Sequence, residues 1–215
     1  MKKYLLYLFD FDYTLADSSK GIVLCFRDVL ERAGYHDISD DTIKRTIGLT
    51  LEEAFASMTG EKDEATLARW RKEYVAVADR VMNEATKLFD EVAQLFDTLK
   101  AQGVKTGIIS TKYRYRIEDF LLRHFDSLPV DLIIGGEDVK TPKPSPEGVN
   151  EAMKKLGVKP HDVIYCGDSI VDGATARNAG VDFAGILHGV TTREELEKYP
   201  HVIITSNLMD LTMTE

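Results

Sequence analysis

In the second half of this 215-residue chain, short apolar runs alternate with longer amphipathic segments. The apolar runs are rich in β-branched residues, are flanked by turn residues and have the length of buried strands. They cover residues 104–109, 131–134, 162–166, 181–186 and 202–204, and an earlier run covers residues 4–9. Strand–helix–strand alternation requires right-handed crossovers and predicts a mostly parallel sheet with helices on both faces.

The segments between these strands show helical periodicity. Val92, Leu95, Phe96 and Leu99 occupy positions i, i+3, i+4 and i+7 of one such segment. The same pattern predicts helices over residues 116–125, 146–156 and 170–179, and a capping-box pair, Thr192 and Glu195, begins another. The sequence therefore predicts an α/β fold with a Rossmann-like parallel sheet.

Residues 17–86 interrupt this alternation, because their patterns favour helix throughout. Helices are predicted over residues 21–33, 40–47, 51–58 and 63–85, and Trp70 and Tyr74 are expected in their shared core. We therefore predict a core domain made of residues 1–16 and 87–215, with an all-helical cap of residues 17–86. Because the cap leaves the sheet directly after its first strand, it is placed to cover that strand's carboxyl end.

Acidic residues follow two of the predicted strands. Asp10 and Asp12 come after the run 4–9, and Asp168 and Asp172 come after residues 162–166. Asp10 suits a nucleophile and Asp12 a general acid and base, whereas Asp168 and Asp172 suit an oxygen-rich Mg²⁺ site. Taken singly, such residues also serve as turn or helix N-caps.

Polar residues that suit a phosphate follow other strands. Lys143 lies between two prolines that restrict where its ammonium group points, and Ser110 and Thr111 follow the run 104–109. Taken singly, these are a solvated lysine and an N-cap serine. Together with the four carboxylates at one edge of a sheet, they predict a site for a divalent metal and a phosphate.

This combination resembles the haloacid dehalogenase superfamily of phosphatases, whose signature is D-x-D-x-T, then S/T, then K, then G-D-x-x-x-D. The resemblance implies that Asp10 is the nucleophile and a Mg²⁺ ligand, and that Asp12 is the acid and base and binds Mg²⁺ through its carbonyl. It implies that Lys143 steadies the nucleophile and the phosphate. Asp168 is then a metal ligand that Asp172 supports, and Thr14, Ser110, Thr111 and Lys143 bind the phosphoryl group.

Within that superfamily the sequence is similar to the phosphoglycolate phosphatases and the β-phosphoglucomutases. Thr14 stands where such mutases often carry a small apolar residue, which favours hydrolysis, and Asp12 argues against a dehalogenase because those members lack the second acid. Tyr13 departs from the glycine usual in the family, and we expect its ring to reshape the leaving-group pocket. A phosphoglycolate phosphatase is the first prediction, and a mutase or an inorganic pyrophosphatase the alternatives.

Composition narrows the class of partner. A net charge of −9 argues against binding nucleic acid, and no apolar stretch approaches the roughly 20 residues of a membrane span. Two cysteines give no disulfide framework, and Asp10 interrupts the first apolar run too early for a signal peptide. We therefore expect a cytoplasmic monomer or weak homodimer that binds a small phosphorylated metabolite.

Two interpretations outside the phosphatase class are less well supported. A phosphate-accepting receiver domain also pairs an aspartate with Mg²⁺ and a lysine, but it is about half as long and has no helical lid. A binding or regulatory protein on the same scaffold would not need the intact set of Asp10, Asp12, Lys143 and Asp168. His188 is expected to be a turn residue, and Arg114 and Arg116 are expected on the solvated start of a helix.

Overall fold

A computed structural model describes residues 2–213, and its centre is a six-stranded, wholly parallel sheet. The strands in sheet order are β5 (Leu132–Ile134), β4 (Lys105–Ile109), β1 (Leu6–Phe9), β6 (Val163–Gly167), β7 (Asp182–Ile186) and β8 (Ile203–Thr205). Each lies within two residues of a predicted run, so the α/β, Rossmann-like fold predicted from the alternation is confirmed.

Side chains of alternate residues in β1 enter separate cores on the two faces of the sheet. Tyr7 and Phe9 pack with α5 (Val92–Ala101) and α6 (Arg114–Leu121). Leu6 and Leu8 pack with α7 (Glu147–Leu156) and α8 (Ile170–Ala179) on the opposite face. A strand that is covered on both faces has a continuous apolar sequence. This is why apolar and polar residues do not alternate in residues 4–9.

Helix boundaries follow their capping residues. Gly157 and Gly180 end α7 and α8 in the left-handed conformation, with φ of +67° at both, and Thr192 and Glu195 form the predicted capping box of α9 (Arg193–Leu196). The helix predicted over residues 116–125 instead covers Arg114–Leu121. Helix α6 thus begins two residues earlier, and turns follow its last residue.

The four predicted helices of residues 17–86, which we call the helical segment, are present. They are α1 (Ser19–Arg32), α2 (Asp40–Lys44), α3 (Leu51–Thr59) and α4 (Glu64–Val81). They share a third apolar cluster that includes Phe26, Phe55, Trp70 and Tyr74. Trp70 and Tyr74 thus lie in the shared core, as predicted. The division of the chain into two domains stays a prediction.

A short antiparallel pair joins the helical segment to the sheet. Strand β2 (Ala16–Asp17) pairs with β3 (Lys87–Leu88), where the chain leaves and re-enters the core. The sequence predicted no strand here, because two-residue strands are too short to produce a periodic pattern. The pair places both ends of the helical segment beside the loop after β1.

None of the helices in residues 2–213 is long and apolar enough to cross a membrane.

Candidate active site

Three predicted site residues follow three adjacent strands of the sheet. Asp10 follows β1, Ser110 follows β4 and Asp168 follows β6, and the sheet order places β4 and β6 on either side of β1. All three side chains are buried. The carboxyl ends of parallel strands share one edge, so these residues converge there as the sequence predicted.

Lys143 connects the acidic residues of this edge. Its Nζ lies 3.1 Å from Asp10 Oδ1 and donates to Asp172 Oδ1 at 2.7 Å. It also donates to the hydroxyl of Tyr165 at 3.3 Å. Burial alone lowers the pKa of Lys143, but the two facing carboxylates outweigh it and hold that pKa well above its usual range. Lys143 is therefore a buried cation, as predicted, and not a solvated one.

Both carboxylate oxygens of Asp172 already have protein partners. Oδ1 accepts from Lys143 and from the Tyr165 hydroxyl at 3.2 Å, and Oδ2 accepts from the backbone N–H of Ser169 at 3.0 Å and its hydroxyl at 2.6 Å. Gly167 makes room for this group, since a Cβ there would overlap the Asp172 side chain. A glycine is thus required at position 167 because the Asp172 side chain approaches its backbone closely, and not because the chain makes a tight turn there.

Asp10, Asp168 and Asp172 form a group whose carboxylate oxygens lie within 4.8 Å of one another. Burial raises the pKa of Asp10 to about 7, with Lys143 opposing that change. Burial, followed by the charges of Asp172 and Asp10, raises the pKa of Asp168 well above its usual range. Ionising these carboxylates together is unfavourable without further positive charge. An all-oxygen set that needs positive charge fits a hard divalent cation.

The carboxylate of Asp12 does not belong to this acidic group and has other partners. Its Oδ1 accepts from the hydroxyl of Ser18 and from Lys112 Nζ, the latter at 2.7 Å. The side chains of Asp12 and Lys112 are only 10% and 7% exposed. Lys112 is not among the site residues predicted from the sequence, although it stands two residues beyond Ser110, which follows a predicted strand.

The remaining predicted phosphate-binding residues occupy different positions at this edge. The hydroxyl of Ser110 accepts from the backbone N–H of Lys112 at 3.2 Å. Thr111 lies between these two residues and lines a neighbouring cavity. Thr14 is fully buried, and its hydroxyl is directed towards Asp168 Oδ1 at 3.4 Å.

Tyr13 adopts a left-handed backbone with φ of +58°. Glycine reaches this conformation without steric cost, whereas other L-residues rarely adopt it. The Tyr13 side chain is buried, with its Cβ close to Gly189. It is absent from the described residues that line the neighbouring cavity, which differs from the expectation that its ring shapes the leaving-group pocket.

His188 serves the turn in which it lies. Its ring nitrogens lie 3.2 Å from the carbonyl of Thr14 and 3.1 Å from that of Ser206, and Nε2 is also 3.2 Å from Glu91 Oε1. Gly189, the next residue, is required because a Cβ there would overlap Asp168. The turn thus supports the loop after β1, in agreement with the expected role.

The expectation for Arg116 is wrong, whereas Arg114 is exposed as expected. The side chain of Arg116 is 7% exposed and donates to Asp79 Oδ1 at 2.6 Å and to the Val75 carbonyl at 3.1 Å. Both partners belong to α4, so this arginine joins the helical segment to the core. The sequence offers one sign of this role, the repeated Tyr-Arg pattern of residues 113–116. In the structure the rings of Tyr113 and Tyr115 lie next to the Arg116 guanidinium group.

A cavity of about 300 Å³ lies between the helical segment and the sheet edge. From the core it is lined by Asp12, Thr111, Lys112 and Pro142, the neighbour of Lys143. From the helical segment it is lined largely by apolar side chains. A molecule in this cavity would contact Asp12 directly.

The sequence and the fold are similar to those of known proteins. The sequence pattern described as haloacid dehalogenase-like hydrolase matches residues 7–186. A solved structure from Bacteroides fragilis, described as a haloacid dehalogenase-like hydrolase, is 54% identical with a TM-score of 0.96, covering 97% of this chain and 100% of that one.

Two further relatives carry activity names. The pyrophosphatase PpaX of Bacillus velezensis is 28% identical over 95% of this chain and 93% of its own length. A solved Lactobacillus plantarum structure, described as a phosphoglycolate phosphatase, is 22% identical with a TM-score of 0.86, and the match covers 98% of both chains. At that identity the second likeness concerns the fold alone.

Proposed function

Because the chain belongs to the haloacid dehalogenase-like hydrolase family, we propose that it is a Mg²⁺-dependent phosphatase acting on a small phosphomonoester. Asp10 is the nucleophile and forms an aspartyl-phosphate. The observation that carries this proposal is the meeting of Asp10, Lys143 and Asp168 at one buried point, beside a cavity that Asp12 lines.

In the first step, a carboxylate oxygen of Asp10 attacks phosphorus and the ester P–O bond breaks. Asp12, in its protonated form, donates a proton to the departing alcohol oxygen. Lys143 holds the attacking carboxylate and attracts the equatorial phosphoryl oxygens, and the hydroxyl of Ser110 and the N–H of Thr111 donate to those oxygens. The Asp12 carboxylate remains.

In the second step, that carboxylate removes a proton from water, which attacks the phosphorus of the aspartyl-phosphate. The bond between Asp10 and phosphorus breaks, which restores the carboxylate of Asp10 and the acid form of Asp12. Two displacements thus replace one difficult hydrolysis, and the same residue serves first as acid and then as base.

Asp10 and Asp168 would hold Mg²⁺, together with the backbone carbonyl of Asp12. When bound, the ion supplies charge stabilisation to the phosphoryl oxygens. Asp172 supports the site by orienting Lys143 and the loop at Ser169, since all its observed hydrogen bonds are to those groups and to Tyr165.

The helical segment acts as the cap. It meets the core through Arg116 and encloses the cavity, so closing it would exclude water from the reacting phosphate. We propose that the enzyme works in the cytoplasm as a monomer or weak homodimer. Cys25 and Cys166 are free buried thiols, which suits a reducing compartment.

The test measures orthophosphate release from acetyl phosphate and from a panel of phosphomonoesters, with Mg²⁺ and after chelation. We expect turnover that requires the metal and yields free orthophosphate. A product that keeps the phosphate at a new position would instead establish a mutase, and no turnover of any phosphate compound would overturn the proposal. Inorganic pyrophosphate belongs in the panel because the relative PpaX is named a pyrophosphatase.

A further inference from the structure

We infer that the preferred substrate is the phosphate ester of an uncharged, largely apolar alcohol, an inference that rests on the phosphatase function proposed above. The position of Asp12 indicates where the leaving group lies. A general acid must reach the leaving oxygen within hydrogen-bond distance, and Asp12 lines the cavity between the core and the helical segment. The alcohol portion of the substrate therefore occupies that cavity.

On the side of the helical segment most of the side chains that line the cavity are apolar, although Thr46, Thr50, Glu52 and Arg71 also line it. The apolar part is formed by side chains of α1, of the turn between α2 and α3, and of α4 and the residues after it: Ile22, Phe26, Ile47, Leu49, Tyr74 and Met82. A volume of about 300 Å³ accommodates a small organic group. Inorganic pyrophosphate would leave this apolar part in contact with water, so the enzyme would gain nothing from hydrophobic burial.

The cations of the cavity already have anionic partners. Lys112 Nζ lies 2.7 Å from Asp12, and Arg116 Nη2 lies 2.6 Å from Asp79. Arg71 Nε lies 2.7 Å from Glu52 Oε1, in an ion pair whose N–H is not aligned for a hydrogen bond.

The lining offers no further positive charge to balance an anionic leaving group. It holds three cations, the three just described, against three anions, Asp12, Glu52 and Glu137. A leaving group with its own carboxylate or phosphate would have to displace one of these carboxylates and lie beside the others. An uncharged alcohol has no such requirement.

The first experiment compares kcat/KM for cyclohexyl phosphate, 2-phosphoglycolate and pyrophosphate, with acetyl phosphate as a compact donor that needs no acid. We expect cyclohexyl phosphate to exceed both anionic substrates by at least about tenfold. If acetyl phosphate is hydrolysed but either anionic substrate equals or exceeds cyclohexyl phosphate, the inference is overturned while the phosphatase function stands. If no substrate, acetyl phosphate included, is turned over, it is the proposed function that fails.

The second experiment frees one cation of the cavity. In Glu52→Gln the guanidinium of Arg71 loses its anionic partner, so the ratio of kcat/KM for 2-phosphoglycolate to that for cyclohexyl phosphate should rise by about tenfold. Glu84→Gln removes the same charge from an exposed position of the helical segment and should leave that ratio unchanged. An unchanged ratio in folded Glu52→Gln protein would refute the charge argument.

Discussion

Two groups of ion pairs in this protein differ in burial. At the candidate active site the side chains of Lys143, Asp10 and Asp172 are 4%, 3% and 0% exposed. Between the helical segment and the core, Arg116 is 7% exposed, but its partner Asp79 is 45% exposed. Water thus screens one region and not the other.

This difference in burial indicates which of the two groups of charges is held more firmly in place. A buried charge that loses its partner destabilises a protein by about 3–5 kcal/mol, whereas an exposed pair contributes about 0–1 kcal/mol. We therefore expect the buried group of Lys143, Asp10 and Asp172 to keep one geometry. We expect the pair of Arg116 and Asp79, in which water reaches Asp79, to hold the helical segment less firmly.

The largest effect is expected at the nucleophile. Asp10→Asn should reduce kcat by at least about 10⁴-fold, because the amide cannot form the aspartyl-phosphate. The measurement is orthophosphate release from acetyl phosphate with Mg²⁺. Asp97→Asn, an exposed change on α5, is the control and should retain activity. Substantial turnover by Asp10→Asn would remove this residue from the role of nucleophile.

A smaller loss is expected where a buried lysine positions the acid. Lys112→Met keeps the alkyl stem but removes the cation that holds Asp12, so kcat should fall by about 10- to 100-fold for an ester whose alcohol must be protonated. Acetyl phosphate, which needs little protonation, should be affected less. Lys140→Met, at an exposed lysine, serves as the control. Equal losses on both substrates would argue against a positioning role.

A weaker effect is expected at the contact between the helical segment and the core. Asp79→Asn removes the exposed partner of Arg116 and should raise KM by about threefold, with kcat little changed, because closure becomes less favourable. Asp119→Asn, at an exposed position of α6 that has no ion pair among residues 2–213, is the control. A kcat loss as large as that of Lys112→Met would show that the two regions do not differ as described.

The smallest effect concerns a half-buried side chain, Glu147, whose carboxylate holds the loop carrying Lys143. Glu147 accepts from the backbone N–H groups of Lys140 and Thr141 at 2.8 and 2.9 Å, and these bonds lower its pKa below 4.5. A lowered pKa stabilises the fold above about pH 4.5, and this contribution is lost as the pH falls through the lowered value. Glu147→Gln should therefore lower Tm by about 1–2 °C at pH 7 and by less near pH 3. A Tm difference that stays constant with pH would contradict this.

Much of the fold could be predicted from the sequence because its signals are local. The apolar runs and helical periodicity predicted all six strands of the sheet and the four helices of the helical segment. Tyr13 shows the limit, since its departure from glycine was visible but its position away from the cavity was not. The pair of β2 and β3 was missed because its pattern is too short.

The candidate site was most directly predictable where residues follow a strand, and the prolines around Lys143 gave a further signal. Asp10, Ser110 and Asp168 are such residues, and their convergence follows from parallel topology. Arg116 was interpreted as solvated because a helix start is usually exposed. Its burial depends on α4, which is distant in the chain and whose approach no local pattern records.

By itself the sequence determined the parallel α/β fold, the helical segment and which polar residues lie at the sheet edge. Hydrophobic periodicity and strand ends are signals from residues that are close together in the sequence. Only the tertiary structure decided which charges are paired. It brought Lys112 to Asp12 and Arg116 to Asp79, and it enclosed a cavity lined largely by apolar side chains on the side of the helical segment. The physical reason is that charge pairing and cavity shape depend on distances between remote segments, which are fixed only when the segments pack together.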